Sequence, residues 1–266
     1  MIDRFGRAIT YLRVSVTDRC NLRCTYCMPP EGVRLLPHDR ILSFEEITDV
    51  VATAAEMGVS KVRLTGGEPL VRRGIVDLVR MVARIDGISD LAMTTNGLLL
   101  GPMAADLRAA GLMRVNVSLD AIDPVRYAAI TRGGRVSAVL AGIDAAVAAR
   151  LTPVKLNCVI GESPDEPDAR DVAEFARARH LAVRFIRRMD LAEGSFSIVE
   201  GGEGGNCPAC NRLRLTSEGL IRPCLFSDIG YSVRALGPRE AIGRALASKP
   251  EAGRASITGQ MRRIGG

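Results

Sequence analysis

Six of the seven cysteines fall into two groups of three whose spacing is typical of metal binding. The first group, Cys20, Cys24 and Cys27, has the spacing C-x3-C-x2-C. Three thiolates occupy three corners of a [4Fe–4S] cluster and leave its fourth iron without a protein ligand. A structural zinc site needs a fourth Cys or His, and the nearest histidine, His38, lies eleven residues further on. The first group therefore favours a cluster with an open iron.

The second group, Cys207, Cys210 and Cys224, has the spacing C-x2-C-x13-C and predicts a second such cluster. Zinc is a stronger alternative here, because C-x2-C before a hairpin also occurs in zinc ribbons, although Cys224 stands alone. Arg212 and Arg214 follow at a spacing that places both on one face of a strand. A pair of guanidinium groups beside an open metal suits a phosphate-bearing ligand, whereas a solvated strand face is the alternative interpretation.

Composition restricts the class of protein. The chain has 266 residues, 47% hydrophobic and only 4% aromatic, so we expect an aliphatic core and one large domain or a domain with an extension. The net charge of +6 comes mostly from arginine, but no basic run with interleaved aromatics points to nucleic acid. No long apolar run or signal peptide is seen, which predicts a cytoplasmic protein that does not span a membrane. Cys158, in an apolar run, is interpreted as a buried structural thiol.

The first two-thirds of the chain alternates strand and helix patterns. The predicted strands are Tyr11–Thr17, Val59–Thr65, Asp90–Thr95, Met113–Ser118, Val154–Ile160 and Ala182–Arg187. The predicted helices are Phe44–Met57, Gly74–Ile85, Pro102–Ala110, Val136–Arg150 and Asp168–Arg179, the first with a capping box of Ser43 and Glu46. This alternation implies parallel pairing through right-handed βαβ units. The predicted fold is α/β, a partial (β/α)6 TIM-type barrel.

The pattern changes near residue 190, so we predict a barrel over residues 1–190 and a small C-terminal Fe–S-binding region over residues 191–266. A flexible glycine-rich stretch, 201–206, leads to the second cysteine group. A hairpin follows, with strands Leu213–Thr216 and Leu220–Pro223. A helix over Arg239–Ala247 and a small, polar tail complete the chain.

Polar residues end several predicted strands. The segment Thr65-Gly-Gly-Glu-Pro69 closes the second strand, and its glycines would let the backbone approach a ligand, although a plain strand-to-helix turn is the alternative. Further polar or sulfur-containing side chains at later strand ends are Thr94, Asn96, Ser118, Asp120 and Met189. Because the loops after barrel strands open onto one face, these residues predict one shared site at the barrel mouth.

The first cysteine motif after strand one, with an aromatic residue before Cys27, together with Gly66-Gly-Glu-Pro69, resembles the radical S-adenosylmethionine (SAM) superfamily. The resemblance implies that the amino and carboxylate groups of SAM chelate the open iron. It also implies that one electron from the cluster cleaves SAM to a 5′-deoxyadenosyl radical.

More specifically, the chain resembles the GTP 3′,8-cyclase family of molybdenum cofactor biosynthesis. The similar segments are Phe5–Arg7, Tyr11–Cys20, Val62–Pro69, Thr94–Gly97, Asn116–Asp120, Arg184–Ile186, Cys207–Thr216, Cys224–Phe226 and the terminal Gly265-Gly266. The resemblance implies catalytic Cys20, Cys24 and Cys27, and a second cluster on Cys207, Cys210 and Cys224 that binds guanine. It implies a SAM pocket of Tyr26, Gly67, Ser118 and Met189. It implies GTP contacts from Arg13, Arg63, Thr94, Lys155, Arg212 and Arg214.

The implied reaction takes hydrogen from the ribose C3′ of GTP and joins C3′ to guanine C8. The implied partners are a reducing electron donor, a downstream cyclic pyranopterin monophosphate synthase and a second copy of the chain in a homodimer. The double-glycine tail is expected to reach toward the active site.

The chain departs from this family between Met189 and Cys207, where only residues 190–206 stand in place of a longer segment. Arg187 and Asp190 also replace the acidic residue and the proline usual in the family. Two alternatives therefore stay open. One is a different two-cluster radical SAM enzyme, for instance one that modifies a peptide. The other is a cluster-binding protein without cyclase activity.

Overall fold

The computed structural model describes residues 1–257 and 261–264, and Gly265-Gly266 lies outside them. The strands are β1 (Tyr11–Ser15), β2 (Lys61–Thr65), β3 (Asp90–Thr95), β4 (Arg114–Ser118), β5 (Lys155–Ile160), β6 (Ala182–Arg187), β7 (Arg212–Leu215), β8 (Leu220–Arg222) and β9 (Tyr231–Ser232). The helices are α1 (Phe44–Glu56), α2 (Ile75–Ala83), α3 (Leu100–Ala109), α4 (Pro124–Thr131), α5 (Val136–Ala148), α6 (Pro167–Ala178), α7 (Val233–Leu236), α8 (Pro238–Ala247) and α9 (Met261–Ile264).

The six predicted barrel strands are all present and pair in parallel, in the order β6-β5-β4-β3-β2-β1. The predicted capping box also forms, since Glu46 N donates to Ser43 Oγ (3.1 Å) and Ser43 N donates to the Glu46 carboxylate (2.7 Å). The α/β barrel prediction is therefore confirmed. Helix α4 was not predicted, although Asp123 as N-cap and Pro124 at its first position are a typical helix start.

The sheet separates an apolar outer face from a polar inner face. Along β1, Leu12 and Val14 are buried in the aliphatic core with the helices, and Tyr11 and Arg13 alternate with them. Side chains of β1, β2, β4, β5, β6 and β7 line one cavity, which requires the sheet to curl into a partial barrel around a lumen. The lumen is therefore polar, while the core lies between the strands and the outer helices.

Strand β7 extends the barrel sheet at its open edge. It pairs in parallel with β1, so that Arg212 lies beside Tyr11 and Arg214 beside Arg13. The predicted hairpin is confirmed, since β8 returns antiparallel to β7, and Gly219 in its turn adopts φ +88°. The parallel pairing was not predicted, because the hairpin pattern is local and carries no information about the strand beside it.

The short segment 190–206 packs along β6. Phe185 and Glu200 exchange two backbone hydrogen bonds of 3.0 and 3.1 Å. Gly201, at φ +75°, approaches β6 so closely that a Cβ there would lie 2.4 Å from the Val183 carbonyl oxygen. The glycine run that was predicted to be a flexible stretch thus makes close contacts with β6, and glycine at 201 is required by them.

Residues 1–257 and 261–264 contain no helix with both the length and the apolarity to cross a membrane.

The outer face of β2 offers a test of this packing. Leu64, on this face, is fully buried in the aliphatic core. We expect Leu64→Ala to lower the free energy of unfolding by about 2–5 kcal/mol, because apolar burial is lost and a cavity is left. Val125→Ala, at a side chain 76% exposed on α4, is the matched control and should change it by less than about 0.5 kcal/mol. Urea unfolding measures both, and equal midpoints for the two variants would contradict the described core.

Candidate active site

The first cysteine group lies at the carboxyl end of the barrel, where β1 leads through Thr17–Arg19 into Cys20. Its three thiols line a cavity, here called the mouth cavity, together with residues that follow β2, β3 and β6. All four residues predicted for a SAM pocket line it, namely Tyr26, Gly67, Ser118 and Met189. The predicted convergence of strand ends on one site at the barrel mouth therefore occurs, whereas the roles of these residues stay predictions.

The two glycines after β2 hold the cysteine loop in place. Gly67 N donates to Thr17 O (2.8 Å) and Glu68 N donates to Arg19 O (2.8 Å). A Cβ at Gly67 would lie 2.3 Å from Arg19 O, and one at Gly66 would lie 2.5 Å from Thr17 O. Glycine is thus required here because two backbone segments meet closely. Both glycines also line the mouth cavity, and the predicted approach to a ligand stays a prediction.

A buried carboxylate, Glu68, links two of the strands whose ends line the mouth cavity. Glu68 accepts hydrogen bonds from Thr95 Oγ1 (2.7 Å), Asn96 N (2.6 Å) and Leu70 N (3.0 Å). Burial raises the pKa of Glu68 to about 7 in spite of these donors. The linked residues belong to the ends of β2 and β3, so Glu68 fixes two walls of the mouth cavity relative to each other.

Tyr26, predicted to pack against the ligand of the open iron, lines the mouth cavity and is fixed by a second carboxylate. Its hydroxyl donates to Asp120 Oδ2 (2.7 Å), and Asp120 Oδ1 accepts from Val159 N (2.8 Å). This chain of contacts links the cysteine loop to β5. The ring of Tyr26 is therefore held by Asp120 at the wall of the cavity.

The second cysteine group lies at the opposite end of the barrel. Cys210 comes two residues before β7, whereas Cys20 follows β1, and the two strands run in parallel. At about 3.3 Å per residue, the five residues of β1 alone separate the two ends by about 13 Å. Cys207, Cys210 and Cys224 line a cavity of their own, here called the second-triplet cavity.

Two buried cations hold the second group together. Lys249, only 2% exposed, donates from Nζ to Arg212 O (2.7 Å), Pro223 O (2.9 Å) and Cys210 Sγ (3.5 Å). Burial would raise the pKa of Cys210, but the charges of Lys249 and Arg212 outweigh it and lower this pKa to about 7. Arg7 donates to the Cys207 carbonyl (2.8 Å), which attaches the N-terminal segment to the same loop.

Beside the second cysteine group, at the amino ends of the barrel strands, the lumen is strongly cationic. Its cavity, here called the lumen cavity, is lined by Tyr11, Asn157, Ile186 and Glu203 and by seven cationic side chains, Arg13, Lys61, Arg63, Arg114, Lys155, Arg184 and Arg212. Glu203 is the acidic residue among these lining residues. Ile186 also lines the mouth cavity and the second-triplet cavity, so the three cavities adjoin.

This concentration of positive charge carries a cost in free energy. Burial, followed by repulsion from neighbouring arginines, lowers the pKa of Arg13 and Arg63 to about 10. Burial likewise lowers the pKa of Lys155, with further contributions from Arg184 and Arg114. Arg13 and Arg63 therefore stay protonated at neutral pH, and an anionic ligand of several charges would relieve the repulsion among the lumen cations.

Sequence reasoning missed several residues of this region. Asn116, fully buried, can accept hydrogen bonds from Arg63 (2.9 Å) and Arg184 (2.8 Å) once its amide oxygen faces them. Lys61 lies at the period-two position before Arg63, which was an available signal. Lys61, Lys155 and Lys249 are also the chain's three lysines. The first two line the lumen cavity, and Lys249 contacts Cys210 at the second-triplet cavity.

The predicted GTP contacts divide among the three cavities. Arg13, Arg63, Lys155 and Arg212 line the lumen cavity. Arg214 lines the second-triplet cavity instead, and Thr94 lines the mouth cavity with the predicted SAM residues. The structure brings these six residues to adjoining cavities, and their individual roles stay predictions.

Both cysteine groups fit iron–sulfur clusters in donor chemistry. All six thiols are free of disulfides, and none is fully buried. Among residues 1–257 and 261–264, no three His, Cys, Asp or Glu side chains converge closely enough to share one metal ion. A cluster does not require this, because each of its thiolates binds a different iron. Cys158 is only 1% exposed, in keeping with its interpretation as a structural thiol.

The contact between Gly67 and the cysteine loop can be tested directly. We expect Gly67→Ala to displace Arg19 and the adjoining Cys20, and so to lower the iron bound at the first cysteine group by at least half after anaerobic reconstitution. Gly243→Ala on α8 is the matched control, because nothing lies within 4 Å of its Cβ position. Iron and sulfide analysis measures both variants, and an unchanged iron content in Gly67→Ala would contradict the described role of this glycine.

Comparisons with known proteins agree with this architecture. The family model of the Radical SAM superfamily matches residues 14–176. Among solved structures, Streptococcus suis SuiB bound to S-adenosylmethionine has a TM-score of 0.64 at 14% identity, covering 91% of this chain and 64% of that chain. Native anSMEcpe with bound AdoMet has the same TM-score and identity, covering 91% and 81%. At this identity the two structures show the fold alone.

Comparison with the sequences of known proteins indicates a narrower family. A GTP 3′,8-cyclase of Petrotoga mobilis is 39% identical over 302 residues, covering 94% of either chain. Its counterpart in Heliobacterium modesticaldum is 44% identical, covering 93% of this chain and 90% of the relative. Both alignments are longer than the 266 residues of this chain, so these relatives carry residues with no counterpart here, in keeping with the short segment 190–206. The chain belongs to the GTP 3′,8-cyclase family of the radical SAM superfamily.

Proposed function

We propose that this protein is a radical SAM GTP 3′,8-cyclase that converts GTP to (8S)-3′,8-cyclo-7,8-dihydroguanosine 5′-triphosphate in molybdopterin biosynthesis. One observation carries the proposal beyond family membership. A lumen with seven cationic side chains lies beside one group of three free cysteines and adjoins the mouth cavity, which the other group lines. A nucleoside triphosphate fits this arrangement, because its base can reach the second cysteine group while its phosphates neutralise the cations of the lumen.

In this proposal Cys20, Cys24 and Cys27 hold the first [4Fe–4S] cluster, and the mouth cavity holds SAM. When bound, SAM and the cluster supply the deoxyadenosyl radical that takes a hydrogen atom from the ribose C3′. The protein's own part is positional. The backbone contacts of Gly67 and Glu68 hold the cysteine loop, and the bond of Tyr26 to Asp120 holds the cavity wall.

Cys207, Cys210 and Cys224 would hold the second cluster, which would offer an open iron to the guanine. Lys249 braces this loop through three hydrogen bonds. The lumen cations bind the triphosphate by charge-assisted hydrogen bonds, with Arg13 and Arg63 side by side on adjacent strands. Anchoring a nucleotide at both its base and its phosphates fixes the ribose between them, which is the geometry that attack of C3′ on guanine C8 requires.

The resemblance also implies partners, an assembly and a location for this protein. We propose a reducing electron donor, delivery of the product to a cyclic pyranopterin monophosphate synthase, assembly as a homodimer and a cytoplasmic location. The division at residue 190 into a barrel and a C-terminal region also stays a proposal. The pairing of β7 with β1 supports a close attachment of the two parts.

The two alternatives predict different behaviour toward GTP. A peptide-modifying enzyme has no need of seven cations in its lumen, and it should show no affinity for GTP. A cluster-binding protein without cyclase activity should bind clusters but release no 5′-deoxyadenosine under dithionite. Neither alternative is favoured by a specific contact among the described residues.

Serine variants of the two groups separate their roles. With SAM, GTP and dithionite under anaerobic conditions, we expect Cys24→Ser to abolish 5′-deoxyadenosine formation. Cys224→Ser should retain uncoupled SAM cleavage but lose the cyclic nucleotide by at least a hundredfold. Chromatography with mass detection measures both products.

Cys158→Ala is the matched control, because this thiol lies outside both groups, and it should retain both products. Formation of the cyclic nucleotide by Cys224→Ser at the wild-type rate would contradict the assignment of the second cluster. Absence of any cyclic nucleotide from fully loaded wild-type protein would contradict the proposed function.

A further inference from the structure

The phenol of Tyr11 occupies an unusual position in the lumen. Its side chain is 7% exposed, and its hydroxyl is buried with no hydrogen-bond partner in the part of the chain that the structure describes. Buried hydroxyl groups nearly always have a hydrogen-bond partner, because an unpaired one has lost its hydrogen bonds to water and gained none in return. A partner for this hydroxyl is therefore expected from outside the chain.

The surroundings of Tyr11 indicate the chemistry of that partner. In the sheet register, Tyr11 lies between Lys61 on β2 and Arg212 on β7. Lys61 Nζ lies 5.7 Å and Arg63 Cζ lies 5.6 Å from the centre of its ring. These cations can donate to the phenol oxygen but cannot accept its O–H, which therefore still needs an acceptor. The positive charge around Tyr11 favours an acceptor that is an anion.

We propose that the Tyr11 hydroxyl donates a hydrogen bond to a phosphate oxygen of the bound nucleotide, an inference that rests on the proposed function. Tyr11 belongs to none of the residue sets that the resemblance implied. A neutral donor suits this place, because an additional cation would add to the repulsion among the lumen arginines.

Electrostatics strengthens this donor. Burial raises the pKa of Tyr11, but the charges of Arg13, Arg63, Arg212 and Arg214 outweigh burial and lower it. A phenol polarised in this way forms a stronger hydrogen bond to an anion. In this proposal the hydroxyl gains a hydrogen-bond partner only when the phosphate is bound.

Tyr11→Phe removes the hydroxyl and keeps the ring. We expect it to weaken binding of inorganic tripolyphosphate and of GTP to the cluster-loaded protein by roughly tenfold to a hundredfold, as for loss of a hydrogen bond to a charged group. The thermal midpoint without ligand should stay unchanged or rise, because the lost hydroxyl has no partner there. Tyr231→Phe on β9, outside the three cavities, is the matched control and should leave both affinities unchanged.

Calorimetry with either ligand, and thermal unfolding without one, distinguish the outcomes. Equal affinity of wild type and Tyr11→Phe for tripolyphosphate would overturn the inference, as would wild type that binds no tripolyphosphate. A Tyr11→Phe protein that unfolds without ligand would show a structural hydroxyl and would also overturn it. Wild type that binds tripolyphosphate but not GTP, with the expected loss in Tyr11→Phe, would support the Tyr11 contact and contradict the proposed function.

Discussion

Positive charge confined in the lumen is the constraint on which the rest of this structure depends. Arginine and lysine side chains from six strands face one cavity, and burial with mutual repulsion lowers the pKa of Arg13 and Arg63. Such a group of cations needs a rigid fold to hold it together and an anionic ligand to offset the repulsion. The aliphatic core on the outer face of the sheet supplies the rigidity. The polyanion that we propose as substrate supplies the compensation.

The pairing of β7 with β1 sets the positions of the two cysteine groups relative to the lumen cations. Because the two strands run in parallel, the cysteines after β1 and those before β7 lie at opposite ends of the lumen. A ligand held along the lumen can therefore meet a different metal group at each end. The short segment 190–206 preserves this arrangement by bonding to β6 through Phe185 and Glu200 and by placing Glu203 at the cavity.

The sequence predicts what depends on local pattern and composition. Strand alternation placed β1 to β6, the Ser43 capping box placed the start of α1, and cysteine spacing identified both thiol groups. Pairing between distant strands has no local signature, so the position of β7 beside β1 could not be predicted. The same holds for Lys249 and Tyr11, whose importance arises only from what the fold brings beside them. Thr94, which the resemblance assigned to GTP, lines the mouth cavity, and its role stays a prediction.

The central claim is that the lumen charge binds the phosphates of a nucleotide whose base lies at the second cysteine group. Calorimetric titration of the cluster-loaded protein with guanosine, GMP, GDP and GTP, each at low and high salt, tests it most directly. We expect affinity to rise with every added phosphate, by at least a hundredfold between guanosine and GTP, and salt to weaken the binding of GTP far more than that of guanosine. Equal affinities along the series, or a GTP affinity that salt leaves unchanged, would contradict it.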